Sequence, residues 1–361
     1  MSERRVASLD VLRGLAALTV AASHYFVYRK MSPTVSEAAS ILAVEVFFML
    51  SGFVLGPQIL RCVREGWPTL KVFLMRRWMR TVPSYWVALV TVSVLLAPIA
   101  ADDAFRYALY LQNPWRQLNH IDYYPVAWSL SVEEWFYLVF PASLMLVSAL
   151  VARSGKMALI SIAVCFILVV TAARMWFGHA GEWGADVRRV VVFRIDAIAY
   201  GFLLYLVLIE YPLPRRLLFA ISTIAAIGFA GLELHELFAL AEGSARARQS
   251  YFVVASLFSV AVLTAFYSGA SRVADDAYRI AVFMGAISYP IYLFHLPLLL
   301  ILTEVSPGWP LLMEVALYGV LLVGFGAIFH YVFERPILQA RPGYRAVTTE
   351  PISAQATVPL G

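Results

Sequence analysis

Val11-Leu12-Arg13-Gly14-Leu15-Ala16-Ala17-Leu18-Thr19-Val20-Ala21-Ala22-Ser23-His24-Tyr25-Phe26-Val27-Tyr28 is the first apolar run of the chain, and reading it decides the fold class. A helix needs about 20 mostly apolar residues to cross a bilayer core, and this run is close to that length. One cation and one imidazole interrupt it. In hydrocarbon such groups face other protein or a wet cavity rather than lipid. The run therefore reads as a membrane helix that needs polar neighbours.

The rest of the chain supplies them. Further runs lie at 38–60, 82–100, 127–150, 157–176, 190–210, 217–235, 251–270, 281–302 and 311–333, ten in all. Of the 361 residues, 61% are hydrophobic and 14% charged, with a mean hydropathy of +0.76. Soluble domains carry about 45–50% apolar and about 25% charged residues. Lipid offers no partner to an unpaired backbone amide, so such a chain folds as helices or a closed barrel. Long unbroken runs, rather than strand alternation, exclude the barrel. The expected fold is all-α: a polytopic membrane helical bundle of about ten transmembrane helices. Residues 1–340 are expected to form a single domain, followed by a disordered cytoplasmic tail at 341–361.

The formal charge of +5 does not point to nucleic acid, because the basic residues cluster at helix ends. Cytoplasmic N- and C-termini place Arg4, Arg5, the basic residues of 61–80, Arg215, Arg216 and the tail basics on the inner side, as the positive-inside rule requires. Arg13 and the poor cleavage signal Ala21-Ala22-Ser23 favour an uncleaved first span over a signal peptide. Cys62 and Cys165 show neither disulfide nor zinc spacing, and no metal site is expected.

Arg13, Glu45, Glu133, Glu134, Arg194 and Asp196 fall in or near spans, together with His24, His295 and His330. Exposed separately to lipid, six such charges would cost roughly 15–20 kcal/mol. A shared polar interior is expected instead. Arg13 and His24 are eleven residues apart, so they project from one helix face about 16 Å apart along the axis. Arginine suits a phosphate through its planar donor fork, and histidine suits general-base work near neutral pH. Glu133 and Glu134 diverge by about 100° on a helix. Glu134 shares a stripe with Ser131, and Glu133 shares one with Tyr137. One acid could orient a histidine while the other pairs with an arginine, and the sequence leaves that assignment open. Arg194 and Asp196 point about 200° apart, so each needs a partner on another helix. Arg76-Arg77-Trp78-Met79-Arg80 reads either as a topology signal at lipid headgroups or as an anion site fit for the phosphates of coenzyme A.

Taken in order, the motifs resemble the acyltransferase-3 family. Leu9-Asp10-Val11-Leu12-Arg13-Gly14-Leu15-Ala16-Ala17-Leu18 followed by His24 is similar to its arginine, ten residues, histidine signature. Val46–Phe53, Arg77 and Arg80 ahead of Pro83, Trp128–Tyr137, Phe193–Ala197, Ile287–His295 and Glu334-Arg335-Pro336 resemble its later motifs, with Trp135 where glutamine is common. The resemblance covers about 8–337.

It implies a multi-pass protein of the inner (cytoplasmic) membrane that uses cytosolic acyl-CoA, by analogy acetyl-CoA, as co-substrate with no bound cofactor. The acceptor it implies is a hydroxyl of a saccharide or glycoconjugate. His24 is then the general base, with Arg13, Glu133 and Glu134 in the catalytic set. Arg77, Arg80, Asp10, Ser131, Arg194, Asp196, Tyr292 and His295 are the expected donor- or substrate-binding residues. The competing reading is a secondary transporter or flippase, where buried charges are equally expected, although inverted repeats and paired broken helices are not visible. A receptor or scaffold with structural charges is a third.

Overall fold

The computed structural model describes residues 6–95, 101–116, 118, 123–151, 155–178, 182–241, 243–269, 275–306 and 308–344. In chain order the helices are α1 (Ala7–Tyr28), α2 (Pro33–Glu65), α3 (Trp67–Leu95), α4 (Ala101–Ala108), α5 (Ala127–Leu150) and α6 (Lys156–Phe177). A wide π-turn at Trp183–Arg188 and a short tight turn at Val191–Phe193 lead into α7 (Asp196–Glu210). Then follow α8 (Arg215–Ala241), α9 (Ala245–Gly269), α10 (Asp275–Val305), α11 (Leu311–Phe329), a second π-turn at His330–Glu334, and α12 (Arg335–Gln339). Among the described residues, nine helices are long and apolar enough to cross a membrane. The protein is an all-α polytopic bundle. The remaining expected run, 82–100, begins in α3, and positions 96–100 lie outside the described residues. Of the tail expected from 341, only Arg341–Tyr344 is described, and it lies against α2 and α3.

Lipid supplies no hydrophobic drive between helices, so close packing needs small residues at the crossings. α1 and α10 meet this way. A Cβ added to Gly14 would lie 2.7 Å from the Met284 Cβ, and one on Gly285 would lie 2.6 Å from the Asp10 carboxylate. Ten residues along from Gly14, His24 faces His295, eleven along from Met284. The two helices therefore run parallel. α2 and α7 repeat the device: a Cβ on Gly52 would fall 1.9 Å from the Ile198 carbonyl, and one on Gly201 would fall 2.1 Å from the Met49 carbonyl. Glu45 meets Arg194 before this crossing and Gly56 meets Tyr205 after it, so these helices are parallel too. These helices carry the first and ninth, and the second and sixth, of the ten runs, and runs of like parity cross in the same sense.

Two buried ion pairs lock this packing. Arg194, at the entry to α7, donates to Glu45 on α2, with the Phe252 ring 3.5 Å from its guanidinium carbon. Asp196 accepts both terminal nitrogens of Arg174 on α6 at 3.1 and 3.0 Å. Arg174 also donates to the Phe193 carbonyl at 2.5 Å. A charge paired and hydrogen-bonded inside protein avoids the penalty it would meet alone. Arg194 and Asp196, expected to bind substrate, thus act as interhelical clamps, because their charges are already consumed by Glu45 and Arg174.

Candidate active site

A cavity of about 810 Å³ opens between α1, α2, α3, α5 and α10. One end is lined by Arg13, Arg76, Arg77, Arg80 and Arg341. Arg13 pairs with Asp10 at 3.4 Å, and both line the wall. The guanidinium groups of Arg77 and Arg80 make no hydrogen bond to any described residue. Cations gathered around a cavity with spare donors favour an anion carrying several oxygens.

The rest of the wall includes Phe47 and Ser51 of α2, Ser129 and Glu133 of α5, and Tyr292 of α10. Glu133 accepts from Ser51 Oγ at 2.6 Å and from the Tyr137 hydroxyl. Glu134 turns the other way and accepts from Thr81 Oγ1 at 2.5 Å. The 100° divergence of the two acids is realised, with Glu133 on the cavity and Glu134 behind it. Neither hydrogen-bonds a described histidine. The expectation that one of them orients His24 fails for that reason. Ser131 is also off the cavity: it is buried and accepts from Gln112 at 2.5 Å.

His24 meets His295 instead. Its Nδ1 lies 2.8 Å from His295 Nε2, and the rings are nearly parallel with centroids 4.9 Å apart. His295 Nδ1 in turn lies 2.8 Å from the Tyr292 carbonyl. A carbonyl only accepts, so His295 Nδ1 carries the hydrogen. In a neutral imidazole Nε2 is then an acceptor, and the nitrogen facing it must donate. That donor is His24 Nδ1. The lone pair of His24 is left on Nε2, which makes no hydrogen bond to any described residue.

Local sequence explains how His295 is held. Pro297 has no N–H, which frees the carbonyl four residues back. That carbonyl belongs to Leu293, and the Tyr124 hydroxyl donates to it at 2.5 Å. The Tyr318 hydroxyl donates to the His295 carbonyl at 2.8 Å. Tyr292 joins the histidine pair to the cavity: its carbonyl holds His295, while its hydroxyl reaches Ser129 at 2.5 Å on the cavity wall.

Several polar residues at the site carried no sequence signal. Glu314 accepts from Tyr25 at 2.8 Å and pairs with Arg29 at 2.7 Å, tying the end of α1 to α11. At the start of an apolar run it reads as a span edge. Arg341 sits beyond the last span, where no periodicity marks it.

The family model for an acyltransferase domain matches residues 6–331, and the chain belongs to this acyltransferase-3 family. The resemblance read from the motifs is confirmed across nearly the whole chain. Among curated proteins, the chain is 24% identical over 348 residues to a peptidoglycan O-acetyltransferase of Listeria monocytogenes, covering 87% of this chain and 53% of that one. It is 23% identical over 320 residues to a putative O-acetyltransferase of Staphylococcus aureus, covering 81% and 50%. A shorter match, 30% over 181 residues, is to protein 2 in the picA locus of Rhizobium radiobacter, covering 46% and 93%. The chain therefore spans about half the length of the O-acetyltransferases it matches. No solved structure matches it.

Proposed function

We propose that this chain moves an acyl group, acetyl by analogy with its relatives, from acyl-coenzyme A to a hydroxyl of a saccharide or glycoconjugate. The single observation that carries the reading is the Nε2 of His24, unbonded to any described residue and fixed through His295, which Tyr292 connects to a cavity with arginines at its other end; neither histidine lines that cavity itself. The arginine end takes the donor phosphates, with Arg77 and Arg80 as the principal contacts and Arg13 beside them. The long thin pantetheine arm suits the cavity and carries the thioester toward Tyr292. His24 Nε2 removes the acceptor's hydroxyl proton as the oxygen attacks the thioester carbonyl. The carbon–sulfur bond breaks, the ester forms, and the coenzyme A thiolate takes the proton from the imidazolium. His295 fixes the tautomer, a task that a carboxylate performs in other triads.

The donor is cytosolic, so the arginine end faces the cytoplasm of a cell with both termini inside and the protein in the inner membrane. The basic segment of 61–80 supports that orientation. The acceptor reading rests on relatives named as O-acetyltransferases, one of them acting on peptidoglycan. A transporter reading gains no support from any observation of the site or the relatives.

The test is purified protein in proteoliposomes with labelled acetyl-CoA and cell-wall or envelope saccharides. Label in the saccharide fraction, with stoichiometric free coenzyme A, supports the proposal. Movement of a saccharide across the bilayer without any acyl donor, and no labelled product, contradicts it.

A further inference from the structure

A second cavity of about 570 Å³ lies beside the first and shares Arg13, Arg80, Tyr289 and Arg341 with it. Its remaining wall brings Arg279 from α10 and Arg335 from α12 together with the rings of Tyr278 and Tyr331. The carboxylate on this wall, Glu334, is already engaged by Ser84 at 3.1 Å and His330 at 2.9 Å. Arg335 lies 5.8 Å from the Tyr331 ring and makes no hydrogen bond to a described residue. Arg279 is largely exposed and touches Asp276 only at 4.0 Å. The cavity is therefore strongly basic and aromatic, and the Arg335 guanidinium makes no ion pair with a described residue.

Resting on the proposed use of acyl-coenzyme A, the first cavity takes the pantetheine arm, and the other end of the donor needs a place. That end is a purine nucleoside with a 5′-diphosphate and a 3′-phosphate. We propose that the second cavity binds this phosphorylated nucleoside, and that Arg335 and Arg279 select the 3′-phosphate. The arginines common to both cavities sit where a diphosphate would cross from one to the other. Arg335 and Arg279 line the second cavity alone, as a group attached only to the nucleoside requires. Tyr278 and Tyr331 offer flat faces for the purine. A free phosphate-bearing lipid headgroup shares the chemistry, and the experiment separates the two.

The protein is purified and placed in nanodiscs of neutral lipid, with a parallel set containing phosphatidylglycerol. Binding of adenosine 3′,5′-bisphosphate and of adenosine 5′-monophosphate is measured by calorimetry. Charge-assisted hydrogen bonds to one phosphate give about a tenfold or larger preference for the bisphosphate. The Arg279→Gln/Arg335→Gln variant is expected to bind the two nucleotides alike, with the monophosphate unchanged, and Arg335→Lys to regain part of the preference. Equal binding of both nucleotides by the native protein overturns the assignment. So does a preference that survives in the double variant. Nucleotide binding that phosphatidylglycerol abolishes, with the variant altering only that effect, assigns the cavity to lipid. Because binding is read without turnover, absence of acetyl transfer counts against the proposed reaction and not against this site.

Discussion

His24 Nδ1 and His295 Nε2 are 2.8 Å apart, with the two imidazole planes within 6° of each other. The contact joins α1 to α10, helices already brought together by the Gly14 and Gly285 crossings. It leaves His24 with one defined role, since its outer nitrogen is the only one available to a substrate.

His295→Ala therefore leaves the base in place but frees its tautomer and ring orientation. A positioned general base contributes about 10²- to 10⁴-fold in rate. kcat is expected to fall by at least about tenfold, with the donor KM little changed, and the His24→Ala/His295→Ala double variant to be no slower than His24→Ala alone. Steady-state kinetics on the three proteins checks this non-additivity.

Arg77→Gln and Arg80→Gln remove donors from the cavity entrance while leaving the histidine pair untouched. Each lost charge-assisted contact weakens donor binding by about 1.5–3 kcal/mol. The expected result is a rise of about tenfold or more in the KM for acetyl-CoA with kcat held nearly constant, read from initial rates at varied donor.

Arg194 and Glu45 are both fully buried and paired between α2 and the start of α7. Removing one partner of such a pair costs about 3–5 kcal/mol, whereas replacing both by apolar residues is often tolerated. Arg194→Met is expected to unfold at clearly lower temperature in detergent, and the Glu45→Leu/Arg194→Met double variant to recover most of the loss. Thermal unfolding of the three proteins decides it.

The Tyr124 hydroxyl fills the carbonyl that Pro297 leaves open in α10. Tyr124→Phe strands that carbonyl, at about 1–3 kcal/mol. A lower unfolding temperature and a reduced kcat are expected together, because the same helix turn carries His295. An unchanged kcat would detach Tyr124 from the site.

The helical class was legible because a bilayer imposes one length and one backbone solution, so the apolar runs of 127–150 and 311–333 are α5 and α11 within a few residues. Helix geometry also put Glu133 and Glu134 on different faces and sent Arg194 and Asp196 to partners on other helices. What it could not supply was the partner. The pairing of His24 with His295 spans 271 positions and depends on α1 and α10 running parallel in contact. No spacing along one helix encodes that. For the same reason Arg194 read as a ligand for substrate, since only the packing of α2 shows that Glu45 already claims it. Arg341 lies after the last span and reaches the cavity because Arg76 holds the neighbouring Pro342 carbonyl at 2.5 Å.

The reaction proposed for this chain has His24 Nε2 take the acceptor proton during transfer from acyl-coenzyme A. It is tested most directly by label transfer from acetyl-CoA to the saccharide fraction of membranes carrying the native protein or His24→Ala, at matched amounts and matched unfolding temperature. Labelled saccharide and free coenzyme A are expected with the native protein, and a loss of at least about 100-fold in rate with the variant. Equal labelling by the two proteins would contradict it.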